Sequence, residues 1–191
     1  MMFRDRTQAG MMLAELLREH YDESDKPVVL AVPRGGVPVA AAVAGTLQLQ
    51  LDVLLGTGIL EPEDEKLIRS AVSEIDFKDR VVILADDGMC LGRTMQKAVN
   101  EARDRGARRI IVAVPLGTQE AVDEVTPVSH EVICMHLMPY ITRVGKYYWS
   151  HPFYSLSELA GCIERHRKVW LKREAAAGDA AAEAAEAPRV R

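Results

Sequence analysis

No stretch of this chain approaches the ~18 or more consecutive apolar residues that a membrane-spanning helix needs. There is no CxxC pair. Cys90, Cys134 and Cys162 are few and far apart, which argues against a zinc site and suits a reducing, cytoplasmic compartment. Positive charge is not in excess. Lys and Arg number 24 against 28 Asp and Glu, a net −4, so the global balance does not ask for a nucleic-acid surface. Aromatic residues are scarce at 5%, and more than half of them lie between residues 140 and 154. The opening stretch MMFRDRTQAGMMLAELL has early charge and then helical periodicity. It lacks the apolar core and cleavage site of a signal peptide.

What is present is the balance of an ordinary globular protein. The chain has 191 residues, 48% of them apolar and 27% charged, enough for one domain with a real core. Short apolar runs alternate with amphipathic stretches. KPVVLAVP, LDVLLG, VVILA, RIIVAVP and EVICMH read as strands, mostly apolar throughout. Met11, Leu13, Leu16 and Leu17 mark a helical stripe within residues 6–20. VPVAAAVAGTLQ reads as an Ala-rich helix, TMQKAVNEARDRGA as a helix stopped by Gly106, and TQEAVDEV as a shorter one starting at Thr118. The alternation predicts an α/β fold, an open and mostly parallel sheet of about five strands with helices on both faces.

Two segments depart from this rhythm. Thr57 to Ile75 is acidic at EPEDE and reads as an excursion, with a short antiparallel strand near Ala71–Ile75. Ser155 and Glu158 form a capping-box pattern that opens a last helix over about 156–173. The domain is therefore expected to span 1–173, with a low-complexity Ala/Glu tail, frayed helix or disordered, over 174–191. ERHRKVWLKRE within the last helix reads as a solvated face with Trp170 as a packing aromatic, not as an RNA site. His136 and His151 read as structural.

The chemistry concentrates in VVILADDGMCLGRTM. Asp86 and Asp87 end an apolar strand, and a loop with Gly88 and Gly92 leads into a helix. In an open α/β sheet, ligands sit beyond the carboxyl ends of the strands. Bare N–H groups and the dipole at a helix start favour an anion there. Thr94 adds a hydroxyl. The loop thus reads as a phosphate cradle with two carboxylates on its rim, facing sugar hydroxyls or a hard cation. The competing reading is a plain strand terminator. A receiver-type phosphoacceptor site would need further acids at the end of the first strand, where PRGG stands instead. That turn, Pro33, Arg34, Gly35 and Gly36, is a second anion-friendly helix start. Two such loops imply a ligand with two anionic groups.

With these residues in view, the chain resembles a type I phosphoribosyltransferase over about residues 3–158, and in particular a bacterial group that begins like FRDRTQAG and continues with LAVPRGGVPVA. The resemblance implies a Rossmann-like three-layer fold with a small hood at about 137–154. It implies phosphoribosyl pyrophosphate (PRPP) as a small-molecule substrate, with Mg2+ as cofactor. Asp86 and Asp87 would hold the ribose hydroxyls, directly or through the metal. Gly88, Met89, Cys90, Leu91, Gly92, Arg93 and Thr94 would hold the 5′-phosphate, and Pro33 to Gly36 the pyrophosphate. Asp86, Asp87 and Arg34 would carry catalysis. Lys146, Tyr147, Tyr148 and Trp149 would face the acceptor base. No membrane or nucleic-acid partner is expected, and a homodimer is.

Several positions depart from that pattern. Leu91 stands where the family loop has Thr, Cys90 where 6-oxopurine enzymes have an acid, and Arg93 where a small residue is usual. Thr57-Gly58 replaces Arg-Lys. Two functions follow. One is a phosphoribosyltransferase acting on a nitrogenous, purine-like base with release of pyrophosphate. The alternative is a PRPP- or nucleotide-binding regulator with weakened catalysis. A weaker third is an accessory module for a partner protein.

Overall fold

The computed structural model describes residues 2–70, 72 and 75–186. Among them five strands form one parallel sheet, in the order β2-β1-β3-β4-β5. The strands are β1 (Val28–Ala31), β2 (Gln50–Val53), β3 (Val81–Ala85), β4 (Arg109–Thr118) and β5 (Glu131–Met138). β1 and β3 are buried at every position, as expected of strands covered on both faces. Successive residues feed opposite layers. Val29, Ala31 and Ile83 face one core, while Val28, Leu30 and Leu84 face the other.

The first core is closed by α1 (Arg6–Leu17), α2 (Gly36–Leu47), α3 (Pro62–Arg69) and α6 (Leu156–Glu186), and the second by α4 (Arg93–Asp104) and α5 (Gln119–Val125). This is the expected three-layer α/β architecture. The helix starts follow local chemistry. Asp5 caps α1 by accepting from the Gln8 amide at 2.7 Å, and the Thr118 hydroxyl accepts from the Ala121 amide to cap α5. At α6 the capping box is reciprocal. The Ser155 amide donates to Glu158 Oε2 at 2.7 Å, and the Glu158 amide donates to Ser155 Oγ at 3.3 Å.

Three expectations are adjusted. The buried face of α1 is Ala9, Gly10, Leu13, Ala14 and Leu17, whereas Met11 and Leu16 are exposed. Small residues win because α1 and α2 touch backbone to backbone: a Cβ on Gly10 would lie 2.5 Å from the Val39 carbonyl oxygen. The last helix continues from the expected 173 to Glu186, since Ala, Glu, Lys and Arg are all strong helix formers. In the excursion, Pro62 and three acids open the helix α3. The antiparallel strand expected at Ala71–Ile75 falls largely outside the described residues.

Candidate active site

The turn after β1 and the turn after β3 meet at the same edge of the sheet. The Val32 amide donates to the Ala85 carbonyl at 2.9 Å, which carries the pairing one residue past β1. The chain then turns through Pro33–Gly36, with a cis peptide between Pro33 and Arg34, and enters α2. Both glycines lie on the acidic pair. A Cβ on Gly36 would sit 2.6 Å from the Ala85 carbonyl oxygen and 2.9 Å from the Asp86 Cα. A Cβ on Gly35 would sit 2.4 Å from Asp87 Oδ2. Gly35 has ordinary helical angles, φ −62 and ψ −30, so its lack of a side chain serves space and not backbone freedom.

The two carboxylates sit in different surroundings. Asp86 is half-buried, and its Oδ1 accepts from the Asp87 amide at 2.7 Å. Burial, and then the neighbouring charge of Asp87, hold the Asp86 carboxyl well above its usual range. Asp87 is buried, and it is held at both ends. Arg6 Nε donates to its Oδ2 at 2.7 Å, and Arg6 Nη2 lies 2.7 Å from the same oxygen. The Tyr148 hydroxyl donates to its carbonyl oxygen at 2.7 Å. The Arg6 guanidinium also lies over the Tyr148 ring, 5.2 Å from its centre. Arg6 Nη1 is buried without a hydrogen-bond partner. The sequence reading missed Arg6 as a site residue. Its signal was the charged FRDR start, 81 residues away from the carboxylate it meets.

The following loop is tied to the sheet behind it. Met89 is buried, and its amide donates to the Leu116 carbonyl. Cys90 is half-buried, and its carbonyl accepts from the Thr118 hydroxyl at 2.7 Å. Burial raises the Cys90 thiol, and the charges of Asp87 and Asp86 add to this, so the thiol is a poor nucleophile. Gly88 is closely packed: a Cβ there would lie 3.0–3.1 Å from the side chains of Leu116 and Val144, which would have to shift to admit it. Gly92, at φ +73, takes the left-handed turn that starts α4. No side chain caps that start. Leu91, Arg93 and Thr94 around it are exposed, so the first amides of α4 can receive an anion.

Arg34 is half-exposed and ion-paired to Asp64 of α3. The acidic run therefore supplies a partner for the arginine of the first turn. Gly58 lies at φ +65, beside open space. In the hood, the N-terminal segment is laced to residues 147–150. Phe3 bridges Tyr148, and the amides of Trp149 and Ser150 donate to the carbonyls of Phe3 and Arg4. The four aromatic and basic residues assigned to a base separate here. Tyr148 is 1% exposed and packs on Phe3, so in this arrangement its ring is part of the interior and offers no stacking face. Lys146 bonds the Thr142 hydroxyl, the Tyr147 hydroxyl bonds the Tyr140 carbonyl, and Trp149 is 73% exposed.

No group of three or more His, Cys, Asp or Glu gathers for a metal among the described residues. The acidic pair does offer Asp86 and the Asp87 Oδ1. One or two carboxylates, completed by water and ligand phosphates, is the usual way to hold Mg2+. The described helices include none long and apolar enough to cross a membrane.

Comparison with known proteins gives a consistent set. A family model described as "Phosphoribosyl transferase domain" matches residues 3–138. A Mycobacterium tuberculosis protein named "Putative phosphoribosyl transferase" is 28% identical, across 95% of this chain and 50% of its own length. The chain thus spans about half the length of that curated relative. A Methanothrix thermoacetophila protein named "Transcriptional regulator GfcR" is 30% identical, across 61% of this chain and 58% of its own. Among solved structures, TT1426 from Thermus thermophilus matches with a TM-score of 0.77 at 30% identity, covering 86% of this chain and 99% of that one.

Proposed function

Because the chain belongs to the phosphoribosyl transferase domain family, we propose that it binds PRPP in the crevice between Pro33–Gly36 and Asp86–Thr94 and transfers the phosphoribosyl group to a nitrogenous, purine-like base. The observation that carries this reading is the convergence of the two loops, with Gly35 and Gly36 lying directly on Asp87 and Asp86. One ligand can then touch both turns.

The geometry supports the following division of roles. The amides at the start of α4, with Thr94, hold the 5′-phosphate. Asp86 and Asp87 accept hydrogen bonds from the ribose hydroxyls. Their negative charge favours the cationic character that grows on the sugar as the bond from the anomeric carbon to pyrophosphate breaks. Arg34 turns from Asp64 to the departing pyrophosphate, and a ring nitrogen of the base forms the new bond to the anomeric carbon as the base loses its N–H proton to water. Trp149, with Lys146 and Tyr147, lies on the hood side where that base would enter. Mg2+, held chiefly by Asp86 and completed by water and ligand oxygens, would neutralise charge on the pyrophosphate. The protein's own contribution is alignment and fixed charge.

The alternative is a regulator that binds PRPP or a nucleotide and turns it over slowly or not at all. Leu91 favours it, since an exposed leucine in the cradle cannot donate to a phosphate. Calorimetry with PRPP and Mg2+, followed by a pyrophosphate-release screen across bases, tests both. Saturable binding with release on one base is expected of the enzyme, and binding without release of the regulator. Failure to bind PRPP or any 5′-nucleotide would remove both.

A further inference from the structure

We propose that Arg6 is a positioning residue that divides the work of the acidic pair: it fixes Asp87 as a hydrogen-bond acceptor for the sugar and leaves the cation to Asp86. This rests on the phosphoribosyl reading above. The geometry is one-sided. Arg6 Nε and Nη2 address the same oxygen, Asp87 Oδ2, at 2.7 Å. That oxygen is also the one closest to Gly35. The other oxygen of Asp87, Oδ1, takes no hydrogen bond from Arg6. Asp86 makes no direct contact with Arg6: its Oδ1 accepts from the Asp87 amide, its carboxyl lies against that of Asp87, and the Arg6 charge acts on it more weakly.

A permanent positive charge beside a cation site lowers the site's affinity. A guanidinium is therefore misplaced if both carboxylates serve the metal. It is well placed if one of them serves neutral hydroxyls. Arg6 is itself held from several sides. It is the first residue of α1, whose start is fixed by Asp5, and it lies over Tyr148, whose hydroxyl holds the backbone of the same Asp87.

The plain competitor is a structural ion pair that pins α1 to the sheet. The helix has other anchors for that purpose, including Leu13, Leu17 and the contact of Gly10 with α2. An arginine kept with one buried nitrogen unpaired is also a costly way to gain stability.

The two readings differ in sign. Arg6→Gln and Arg6→Lys are made in the full chain. Binding of Mn2+ alone is followed by electron paramagnetic resonance, and binding of PRPP with Mg2+ by calorimetry. Arg6→Gln is expected to tighten Mn2+ on the order of tenfold, because the opposing charge is gone. The same variant should weaken PRPP about ten- to a hundredfold, because Asp87 is no longer fixed. Arg6→Lys should return Mn2+ to the wild-type value and restore PRPP only in part, since an ammonium keeps the charge and loses the fork.

A structural pin predicts that both ligands weaken together or that neither changes, and either result overturns the proposal. If Arg6→Gln does not fold, the lysine variant decides alone: full PRPP affinity in Arg6→Lys would overturn the need for the fork. If wild type binds no PRPP but Arg6→Gln still gains Mn2+, the phosphoribosyl reading fails while the control of the cation by Arg6 stands. If wild type binds PRPP and Arg6→Gln gains no Mn2+, the proposal fails alone.

Discussion

Gly35→Ala is the smallest change that should disable the acidic pair. The added Cβ would lie 2.4 Å from Asp87 Oδ2, 2.6 Å from Cγ and 2.7 Å from Oδ1, so the entire carboxylate stands in its way. Ordinary contact begins at 3.4 Å, so the carboxylate must retreat by about 1 Å. A retreat of that size breaks the 2.7 Å contacts with Arg6. Losing a hydrogen bond to a charged group costs about 1.5–3 kcal/mol. A domain of this size loses about 2–4 °C of Tm per kcal/mol, so a fall of about 3–12 °C is expected. Gly45→Ala is the control. Gly45 lies inside α2 with nothing within 4 Å of its would-be Cβ. There alanine should add about 0.5–1 kcal/mol through helix propensity. Differential scanning calorimetry reads both variants, and PRPP titration shows whether Gly35→Ala also loses the ligand. A Gly35→Ala protein that melts and binds like wild type would refute the packing of Gly35 on Asp87.

Asp86→Asn should raise Tm at neutral pH while weakening Mg2+-dependent PRPP binding. The folded-state pKa of Asp86 is raised, so ionisation opposes folding above the ordinary value of 3.8. The gain over wild type should shrink as the pH falls through the folded value and vanish below 3.8, which melts across a pH series will show. Tyr148→Phe leaves the Asp87 carbonyl without its hydroxyl partner and should cost about 1–3 kcal/mol in a denaturant titration, with no change in base preference. Leu91→Thr restores a donor to the cradle and should tighten PRPP by about ten- to a hundredfold in calorimetry.

The sheet was legible because its strands are short apolar runs at regular spacing, and each run became a strand. β4 was read only to Pro115, the usual end of a ladder. It continues to Thr118 because its pairing with β3 ends at Ala113, while its register with β5 resumes at Leu116. The stripe on α1 was misread at Met11 and Leu16 because large apolar residues draw attention, whereas the close contact with α2 selects Ala9, Gly10 and Ala14. At the site, the acidic pair and the two glycine turns are local patterns, and both could be quoted from the sequence. Arg6 could not be read this way. Its meaning depends on a partner 81 residues away, and nothing in FRDR announces which carboxylate it will meet. Tyr148 looked like its neighbours in KYYW. Only the fold shows that one ring of the three turns inward.

The lacing of residue 3 to residue 148 also has a consequence for the order in which the domain is completed. Contacts so distant along the chain close late, because the intervening loop must be ordered first. During synthesis, the sheet through β5 can form while Tyr148 is still to come, and until then nothing holds the Asp87 backbone from the hood side. The clamp on Asp87 is thus set after the sheet that carries it, shortly before α6 closes the first core. A fragment trimmed to the matched span 3–138 would keep all five strands and the Arg6 contact but lack the tyrosine that completes the clamp. It would also lose α6, whose Leu159 and Ile163 are buried in the first core, so such a fragment is expected to melt below the full chain and to leave the Asp87 backbone unclamped.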